Sequence, residues 1–200
     1  MIKELIIGST NPAKINQIKG VLSPLNLEIS DISNLELPEI IEDGKTAQEN
    51  ARKKAIGYAE FLNKPVLSMD NSLYFDSLPE SKQPGINVRR INGINRATDN
   101  EMLDYYPKLV SELGEQINGR WEFAICVATP EKFFETIIIS PRIFTSKKSS
   151  IIIPGYPLES IQIDPETNRY ISEMTQTEQD VFWQKSIGEK LQAFIKSINI

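Results

Sequence analysis

The pattern of hydrophobic and polar positions changes its period along this chain, and each change predicts a new element. Short apolar or alternating runs predict strands at residues 3–8, 27–32, 64–69, 121–128 and 133–139. Apolar residues spaced three or four apart predict helices at residues 11–22, 46–62, 99–113 and 177–198. Breaker residues make 34–45 irregular and 79–98 a long loop, whereas 140–165 is strand-like and rich in turns.

This order of elements predicts the class of fold. Strands that alternate with helices, followed by a strand-rich middle, are typical of an α/β fold with a mixed central β-sheet flanked by helices. At 200 residues the length fits one domain, spanning residues 1–200. We expect this domain to form two lobes with a cleft between them.

The overall composition narrows the possible partners. Hydrophobic residues make up 40% of the chain and charged residues 24%, which is ordinary for a soluble globular protein. The formal net charge of −5 argues against a general nucleic-acid-binding surface. No apolar run approaches the ~18 residues of a membrane span, so we expect no membrane partner. A single cysteine, Cys126, rules out an intramolecular disulfide and favours a cytoplasmic location.

The chain contains no histidine, which limits its chemistry. Histidine general bases, Ser-His-Asp triads and His-rich zinc sites are all excluded. Any acid–base or metal chemistry must therefore use Asp, Glu, Lys, Tyr or the single Cys.

The segment from Gly8 to Lys14 is a candidate phosphate site where a strand runs into a helix. Free backbone N–H groups and the positive end of the helix dipole attract anions at such a position. Polar side chains here are Ser9, Thr10, Asn11 and Lys14. Taken alone, the segment favours the structural alternative, an ordinary helix cap followed by a solvated lysine.

The second candidate segment is the start of the helix predicted at residues 46–62. Asn50 and Lys54 are four residues apart and share one face of the helix, with Glu49 beside it. One glutamate together with a triphosphate would suffice to hold Mg²⁺. The alternative is purely structural: Thr46 and Glu49 form a capping box, and Lys54 is a surface charge.

The third candidate is Asp70, which follows a short apolar strand. Carboxylates just past a buried strand lie where α/β proteins bind their ligands, so Asp70 is placed to deprotonate a water or to hold a metal. An Asp-Asn-Ser turn is the structural alternative.

Together the three segments resemble, in order and spacing, the inosine/xanthosine triphosphate pyrophosphatase (Ham-type) family. The family's opening Thr/Ser-x-Asn-x-x-Lys is similar to residues 9–14, and its Thr-Phe-x-Glu-Asn-Ala-x-x-Lys-Ala to residues 46–55, with Ala47 in place of Phe. Its Asp-Asp-Ser-Gly-Leu run is similar to residues 69–73, and its catalytic Asp falls on Asp70.

The resemblance implies a set of roles for individual residues. Asp70, Glu49 and Lys14 would be catalytic, and Glu49 and Asp70 would hold Mg²⁺, with Mn²⁺ as an alternative. Phosphates would be bound by Ser9, Thr10, Asn11, Lys14, Lys54, Asn71 and Ser72. The family also forms homodimers, so the resemblance implies a homodimer here.

The chain departs from the family pattern mainly in the second half. Met69 replaces the first Asp of the Asp-Asp pair, and Pro157 falls on the Asp that reads the base. The family's Ser-His-Arg near the end falls on residues 183–185, Trp-Gln-Lys. We therefore expect an altered base pocket formed by Tyr156, Gln184 and Lys185.

The leading hypothesis is a Mg²⁺-dependent enzyme that hydrolyses a small-molecule nucleotide, a nucleoside triphosphate, to nucleoside monophosphate and pyrophosphate. Its base specificity would differ from the usual inosine/xanthosine type. One alternative is the same fold acting on a different nucleotide or phosphate substrate. The other, prompted by Met69, is a nucleotide sensor or an interaction subunit with weakened or absent catalysis.

Overall fold

The computed structural model describes residues 3–198. The chain divides into two compact units, each built from separated stretches of sequence. Unit 1 comprises residues 1–71, 122–139 and 182–200, and unit 2 comprises residues 72–121 and 140–181. The expected organisation as a single domain stays a prediction.

One mixed sheet contains all the named strands, as the α/β prediction requires. The strands are β1 (Glu4–Ile7), β2 (Glu28–Asp31), β3 (Val66–Phe75), β4 (Gln116–Ala128), β5 (Phe133–Thr145), β6 (Gln162–Asp164) and β7 (Arg169–Tyr170). Their order across the sheet is β2-β1-β3-β4-β5-β6-β7. Strand β1 is parallel to β2 and β3, whereas β6 is antiparallel to β5 and β7, so the sheet is mixed.

The helices lie where the spacing of apolar residues predicts them. They are α1 (Pro12–Leu22), α2 (Ala47–Leu62), α3 (Asp99–Leu113), α4 (Gln176–Trp183) and α5 (Glu189–Ser197). The helix predicted at 177–198 is interrupted by a π-helical stretch at Gln184–Gly188, which separates α4 from α5. No helix among residues 3–198 is long and apolar enough to cross a membrane.

The long strands are the main difference from the prediction. Strand β3 continues through Asp70 to Phe75, so Asp70 lies within a strand and not in an Asp-Asn-Ser turn. Strands β4 and β5 are extended at Gln116–Arg120 and Ser140–Thr145, where buried and exposed residues largely alternate. Gln116–Arg120 lies outside the strand predicted at 121–128 because its polar residues interrupt the apolar run, whereas Ser140–Thr145 begins the segment predicted to be strand-like.

The core of unit 1 fixes the elements that carry the first two sequence segments. Side chains buried here include Leu5, Ile7, Ile18, Leu22, Ala51, Ala55, Leu67, Ile125 and Leu191. Asn11 caps the N-terminus of α1, accepting hydrogen bonds from the N–H groups of Ala13 and Lys14 at 3.0 and 3.4 Å. Thr46 caps α2 by accepting the N–H of Glu49 at 3.1 Å. Both helices therefore begin where the caps in the sequence place them.

Unit 2 has its own core, arranged around α3. Phe75, Tyr106 and Phe144 form its aromatic centre, with the ring centroids of Phe75 and Phe144 4.9 Å apart. A complete capping box starts α3, since Thr98 accepts the N–H of Glu101 and the Glu101 carboxylate accepts the N–H of Thr98.

Candidate active site

The candidate site in unit 1 begins where the parallel strands β1 and β3 lie side by side. Ile7 is in register with Leu67, and the Gly8 N–H donates to the Leu67 carbonyl at 2.7 Å. Gly8 allows this close approach, since a Cβ there would lie 2.8 Å from Cγ1 of Val66. The chain that leaves β1 therefore passes directly beside the first half of β3, which leads to Asp70.

Lys14, on the first turn of α1, turns its side chain back onto β3. Its Nζ donates to the carbonyl of Met69 at 3.0 Å, one residue before Asp70. The pKa of the Lys14 ammonium is lowered from 10.5 to about 8, chiefly by burial and next by the nearby charge of Lys54. Asp70 and Glu42 act in the opposite direction. Lys14 therefore lies in a cluster with Lys54 and two carboxylates.

Lys54, on α2, joins those two carboxylates. Its Nζ lies 2.8 Å from Oε2 of Glu42 and 3.8 Å from Oδ1 of Asp70. The Lys54 side chain is only 12% exposed and that of Asp70 19% exposed, so this pair is less screened than a surface pair, whereas the side chain of Glu42 is 47% exposed.

Asn50 fixes the carboxylates relative to each other. Its Nδ2 donates to Oδ2 of Asp70 at 3.3 Å, while its Oδ1 accepts the N–H of Gly44 at 2.8 Å. Gly44 lies two residues after Glu42, so one buried amide ties the loop that carries Glu42 to the strand that carries Asp70. Asn50 and Lys54 thus share one face of α2, as predicted, and both side chains point to Asp70.

Glu49, the predicted magnesium ligand, has a different partner. Its Oε2 accepts the backbone N–H of Lys45 at 2.6 Å, and its charge raises the pKa of Arg52, though Glu135 is the main cause of that shift. The capping box expected at Thr46 is therefore incomplete, because the Glu49 carboxylate bonds Lys45 and not the N-cap. Catalysis and metal binding by Glu49 stay predictions, and Glu42 is the carboxylate that the structure brings to Asp70 through Lys54.

Glu42 was missed by the sequence analysis because it lies in the irregular segment at residues 34–45. Charged residues in such a segment look like ordinary solvated loop positions. The only signal in the sequence is Gly44 two residues later; in the structure an added Cβ on Gly44 would lie 2.5 Å from Oδ1 of Asn50. A glycine packed against the amide of a candidate site residue marks a loop that is fixed there.

The predicted phosphate residues near the start of α1 are only partly available. The expectation of free N–H groups is wrong for Ala13 and Lys14, because the Asn11 side chain accepts from both. The Ser9 hydroxyl accepts the N–H of Asn11 at 3.2 Å, and Thr10 is exposed. Ser9 and Asn11 shape the turn, whereas Lys14 supplies the charge.

Asn71 and Ser72 follow Asp70 along β3. Oδ1 of Asn71 is buried and has no hydrogen-bond partner among the residues that the structure describes. Ser72 is 3% exposed. Phosphate binding by these two residues stays a prediction.

The predicted base-binding residues lie in different units of the chain. Tyr156 is a half-buried residue of unit 2, where burial raises the pKa of its phenol. In unit 1, Lys185 is exposed. Nε2 of Gln184 donates to the carbonyls of Gly20 and Val21, both at 3.2 Å, which caps the C-terminus of α1.

Gln184 is thus placed differently from the sequence-based expectation. Its Oε1 accepts from Nε2 of Gln192 at 2.8 Å, so both ends of its amide have partners within unit 1. Its neighbour Trp183 packs edge-on against Phe123 with ring centroids 6.3 Å apart. Both contacts lie within unit 1, and base reading by Gln184 stays a prediction.

The paired carboxylates suit a divalent cation. Mg²⁺ is commonly bound by one or two carboxylates plus the phosphates of a substrate. Glu42 and Asp70 already share one positive charge, the Lys54 ammonium, which marks the position where a cation is favoured. No group of three or more acidic, cysteine or histidine side chains that could hold a metal ion occurs among residues 3–198.

Fold and site together define an α/β protein with lysines and carboxylates gathered beside parallel strands, an arrangement suited to phosphate chemistry. The profile of the Ham1 family matches residues 5–186. The chain belongs to the Ham1 family.

Curated relatives include three bacterial proteins called dITP/XTP pyrophosphatase. The Desulfotalea psychrophila protein is 34% identical over 65% of this chain and 57% of its own length. The Bacillus subtilis protein is 31% identical over 68% and 69%, and the Leuconostoc mesenteroides protein 26% identical over 96% and 98%. The chain thus spans less than two thirds of the first of these relatives.

Solved structures share the fold over nearly the whole chain. A HAM1 protein from Coxiella burnetii superposes with a TM-score of 0.75 at 20% identity, covering 98% of this chain and 100% of that one. The Ham1 protein of Staphylococcus aureus gives 0.70 at 23% identity, covering 97% and 98%. The predicted α/β class is confirmed.

Proposed function

We propose that this protein is a divalent-metal-dependent nucleoside triphosphate pyrophosphatase that releases a nucleoside monophosphate and pyrophosphate. The observation that carries the proposal is the position of Lys54 between two carboxylates, 2.8 Å from Glu42 and 3.8 Å from Asp70, with Lys14 beside them. The names of the curated relatives support the same activity.

The lysines bind the phosphates in this proposal. The Lys14 and Lys54 ammonium groups neutralise the triphosphate and stabilise the charge that develops on the leaving pyrophosphate, which is the largest expected catalytic contribution. A triphosphate competes with Glu42 and Asp70 for Lys54, which frees both carboxylates. Because a bound anion favours the charged form of Lys14, its lowered pKa implies proton uptake on binding above pH 8.

Asp70 acts as the general base. It accepts a proton from a water whose oxygen attacks the α-phosphorus, the bond from that phosphorus to the α,β-bridging oxygen breaks, and the oxygen leaves with pyrophosphate. Asn50 donates to Oδ2 of Asp70 at 3.3 Å, which orients the carboxylate and leaves Oδ1 for the water.

Glu42 and Asp70 would hold the magnesium ion, with manganese as a substitute. When bound, the ion would withdraw charge from the phosphate oxygens. This assignment replaces Glu49 by Glu42, and the reason is the shared contact with Lys54.

Met69 does not by itself favour a sensor without catalysis. Met69 is 1% exposed. Because successive residues of a strand point to opposite faces, its side chain lies on the face of β3 opposite to that of Asp70. Base specificity that differs from the inosine/xanthosine type is supported by Pro157 in place of a base-reading Asp. Homodimer formation and a cytoplasmic location stay predictions.

Pyrophosphate release from a panel of purine and pyrimidine nucleoside triphosphates tests the activity. With the best substrate, we expect Asp70→Asn to lower kcat by about 100-fold or more, as is usual for loss of a general base. Glu42→Gln is expected to raise the Mg²⁺ concentration that gives half-maximal rate by about tenfold, whereas Glu49→Gln is not.

Glu39→Gln is the matched control, because Glu39 is an exposed residue of the same loop. If Asp70→Asn retains full activity, the mechanism is wrong. If Glu49→Gln and not Glu42→Gln shifts the Mg²⁺ dependence, the exchange of metal ligands proposed here is wrong. Nucleotide binding without turnover in either Mg²⁺ or Mn²⁺ would support the sensor.

A further inference from the structure

A glycine opens a notch on the surface of helix α2 in unit 1. Gly57 lies in the interior of this helix, where glycine is less favourable than any residue except proline. A Cβ at this position would lie 2.6 Å from Cδ1 and 3.4 Å from Cγ1 of Ile40, in the loop that precedes α2. The Ile40 side chain therefore occupies the space that any larger residue at position 57 would need.

From Ile40 onward, the loop follows α2 towards the N-terminus of the helix. Residues 40–45, which we call the strap, contact successive turns of α2. The contacts are Ile40 with Gly57, Glu42 with Lys54 at 2.8 Å, Asp43 with Lys53, Gly44 with Asn50 at 2.8 Å, and Lys45 with Glu49 at 2.6 Å. Residue numbers rise along the strap while they fall along the helix, so the two segments run antiparallel.

Two anchors of the strap flank Glu42. Ile40, two residues before Glu42, is half-buried in the notch, whereas its neighbour Ile41 is largely exposed. Gly44, two residues after Glu42, donates its N–H to the buried amide of Asn50. The ion pairs of the strap involve carboxylates that are 47% and 70% exposed, and such pairs contribute little stability, so the two anchors hold the strap in place.

We propose that Ile40 and Gly57 are positioning residues that hold Glu42 at the cation site and thereby set the affinity for the divalent ion. The inference rests on the proposed function, in which Glu42 and Asp70 hold the ion. Once a triphosphate takes the place of Glu42 on Lys54, that ion pair no longer fixes the carboxylate, and the anchors keep it near Asp70. A carboxylate held in place binds an ion without the cost of ordering a loop, which is the advantage of a preorganised site.

Two measurements on the full chain test this inference. Hydrogen–deuterium exchange of peptides covering the strap reports its docking without any need for activity, because the N–H groups of Gly44 and Lys45 bond side chains of α2. The Mg²⁺ dependence of steady-state hydrolysis, measured with the best nucleotide from the panel, reports the role of the docking.

The variants disrupt the anchor from either side. Ile40→Ala removes the side chain that fills the notch, and its matched control is Ile41→Ala, at the exposed neighbouring position. Gly57→Leu fills the notch itself, because leucine favours helix and its side chain extends back towards the N-terminus of α2, along the path of the strap. Its matched control is Gly20→Leu, on a helix glycine whose added Cβ meets no atom within 4 Å among the residues that the structure describes.

We expect Ile40→Ala and Gly57→Leu to speed exchange of the strap amides by about fivefold or more, because the strap leaves the helix more often. The Mg²⁺ concentration that gives half-maximal rate should rise by about fivefold, with kcat at saturating Mg²⁺ nearly unchanged. Ile40→Val, which keeps most of the side chain, should recover most of both effects. Ile41→Ala and Gly20→Leu should change neither.

A double variant shows whether the anchor acts through Glu42. Ile40→Ala added to Glu42→Gln should not raise the required Mg²⁺ concentration further, since the carboxylate that the anchor positions has already been replaced. An additional rise of about fivefold, as two independent effects would give, would overturn the assignment.

The other failures are distinguishable as well. Unchanged exchange of the strap in both Ile40→Ala and Gly57→Leu would overturn the anchor itself. Faster exchange with an unchanged Mg²⁺ dependence would overturn its positioning role and leave the proposed function intact. If the unsubstituted protein neither hydrolyses nor binds any nucleotide, the proposed function fails and the positioning role fails with it.

Discussion

Lys14→Met should make the protein more stable and remove its nucleotide binding. Methionine keeps the length and straight shape of the lysine stem but carries no charge. The substitution therefore isolates the free-energy cost of keeping an ammonium group in this location. Sites that hold a charge ready for a ligand are often less stable than a neutral replacement.

The magnitude follows from the pKa of Lys14. A fall from 10.5 to about 8 means that the native state disfavours the charged form by about 3 kcal/mol at 1.36 kcal/mol per pH unit. Methionine also loses the hydrogen bond to the Met69 carbonyl, which costs about 1 kcal/mol. The expected net gain in the free energy of unfolding at pH 7 is about 2 kcal/mol.

The gain has a defined pH dependence. Between pH 8 and 10.5 the unfolded chain binds a proton at Lys14 that the native state has lost, so the stability of the original protein rises with pH. The advantage of Lys14→Met should be complete below pH 8 and disappear as pH approaches 10.5. Urea unfolding near pH 7 and pH 10 measures it.

Lys19→Met is the control for loss of a lysine from the same helix. Lys19 pairs with Asp31 at 2.5 Å, is 42% exposed, and should lose at most about 1 kcal/mol of stability. If Lys14→Met lowers stability at pH 7, or if its advantage is equal at pH 7 and pH 10, then Lys14 does not carry a buried charge. A variant that keeps its nucleotide-induced rise in melting temperature would refute phosphate binding by Lys14.

Three further predictions concern stability and are measured by urea unfolding. Burial raises the pKa of Glu159 to about 8, so between pH 4.5 and 8 the native state holds a proton that the unfolded chain has lost, and stability declines as pH rises. Glu159→Gln should flatten this decline, and an unchanged slope would count against a buried carboxylic acid. Gly8→Ala should lower the free energy of unfolding by about 1–3 kcal/mol, because the new Cβ meets Ser68 and Val66. Gly20→Ala, with open space around it, should stabilise α1, and equal effects of the two substitutions would show that β1 can move to make room. Arg52→Ala should cost about 1 kcal/mol and less at high salt, because the guanidinium makes two bonds to Glu135 and lies over the ring of Phe133; a double-mutant cycle with Glu135→Ala that gives no coupling would contradict this.

The helices and their starts could be predicted from the sequence because their signals are local. Asn11, Thr46 and Thr98 cap helices through bonds to residues two or three positions away. The full length of β4 could not be predicted in the same way. Near its start, the Asn118 carbonyl accepts the N–H of Asp76, which is distant in the sequence, so local hydrophobicity underestimates the strand.

Only those charged residues of the candidate site that lie on helices or strands could be predicted from the sequence. Lys14, Lys54 and Asp70 lie on α1, α2 and β3 and were found by their spacing. Glu42 lies on a loop whose position is fixed by the Asn50 amide, which bonds Gly44 and also Asp70, 20 positions further along the chain. The caps also used up donors that local reasoning had left for the ligand, as at Asn11.

The amide of Gln192 in α5 donates to the Val21 carbonyl at 2.7 Å, which joins the end of α1 to a residue 171 positions later. During synthesis, the helix that carries Lys14 therefore leaves the ribosome well before α5, the helix that completes its packing. Contacts over such a separation form late and slow the folding of a chain. A nascent chain should thus bind nucleotide only once α5 has emerged. Nucleotide added during refolding should stabilise the late species, in which α5 is packed on α1, more than the early ones.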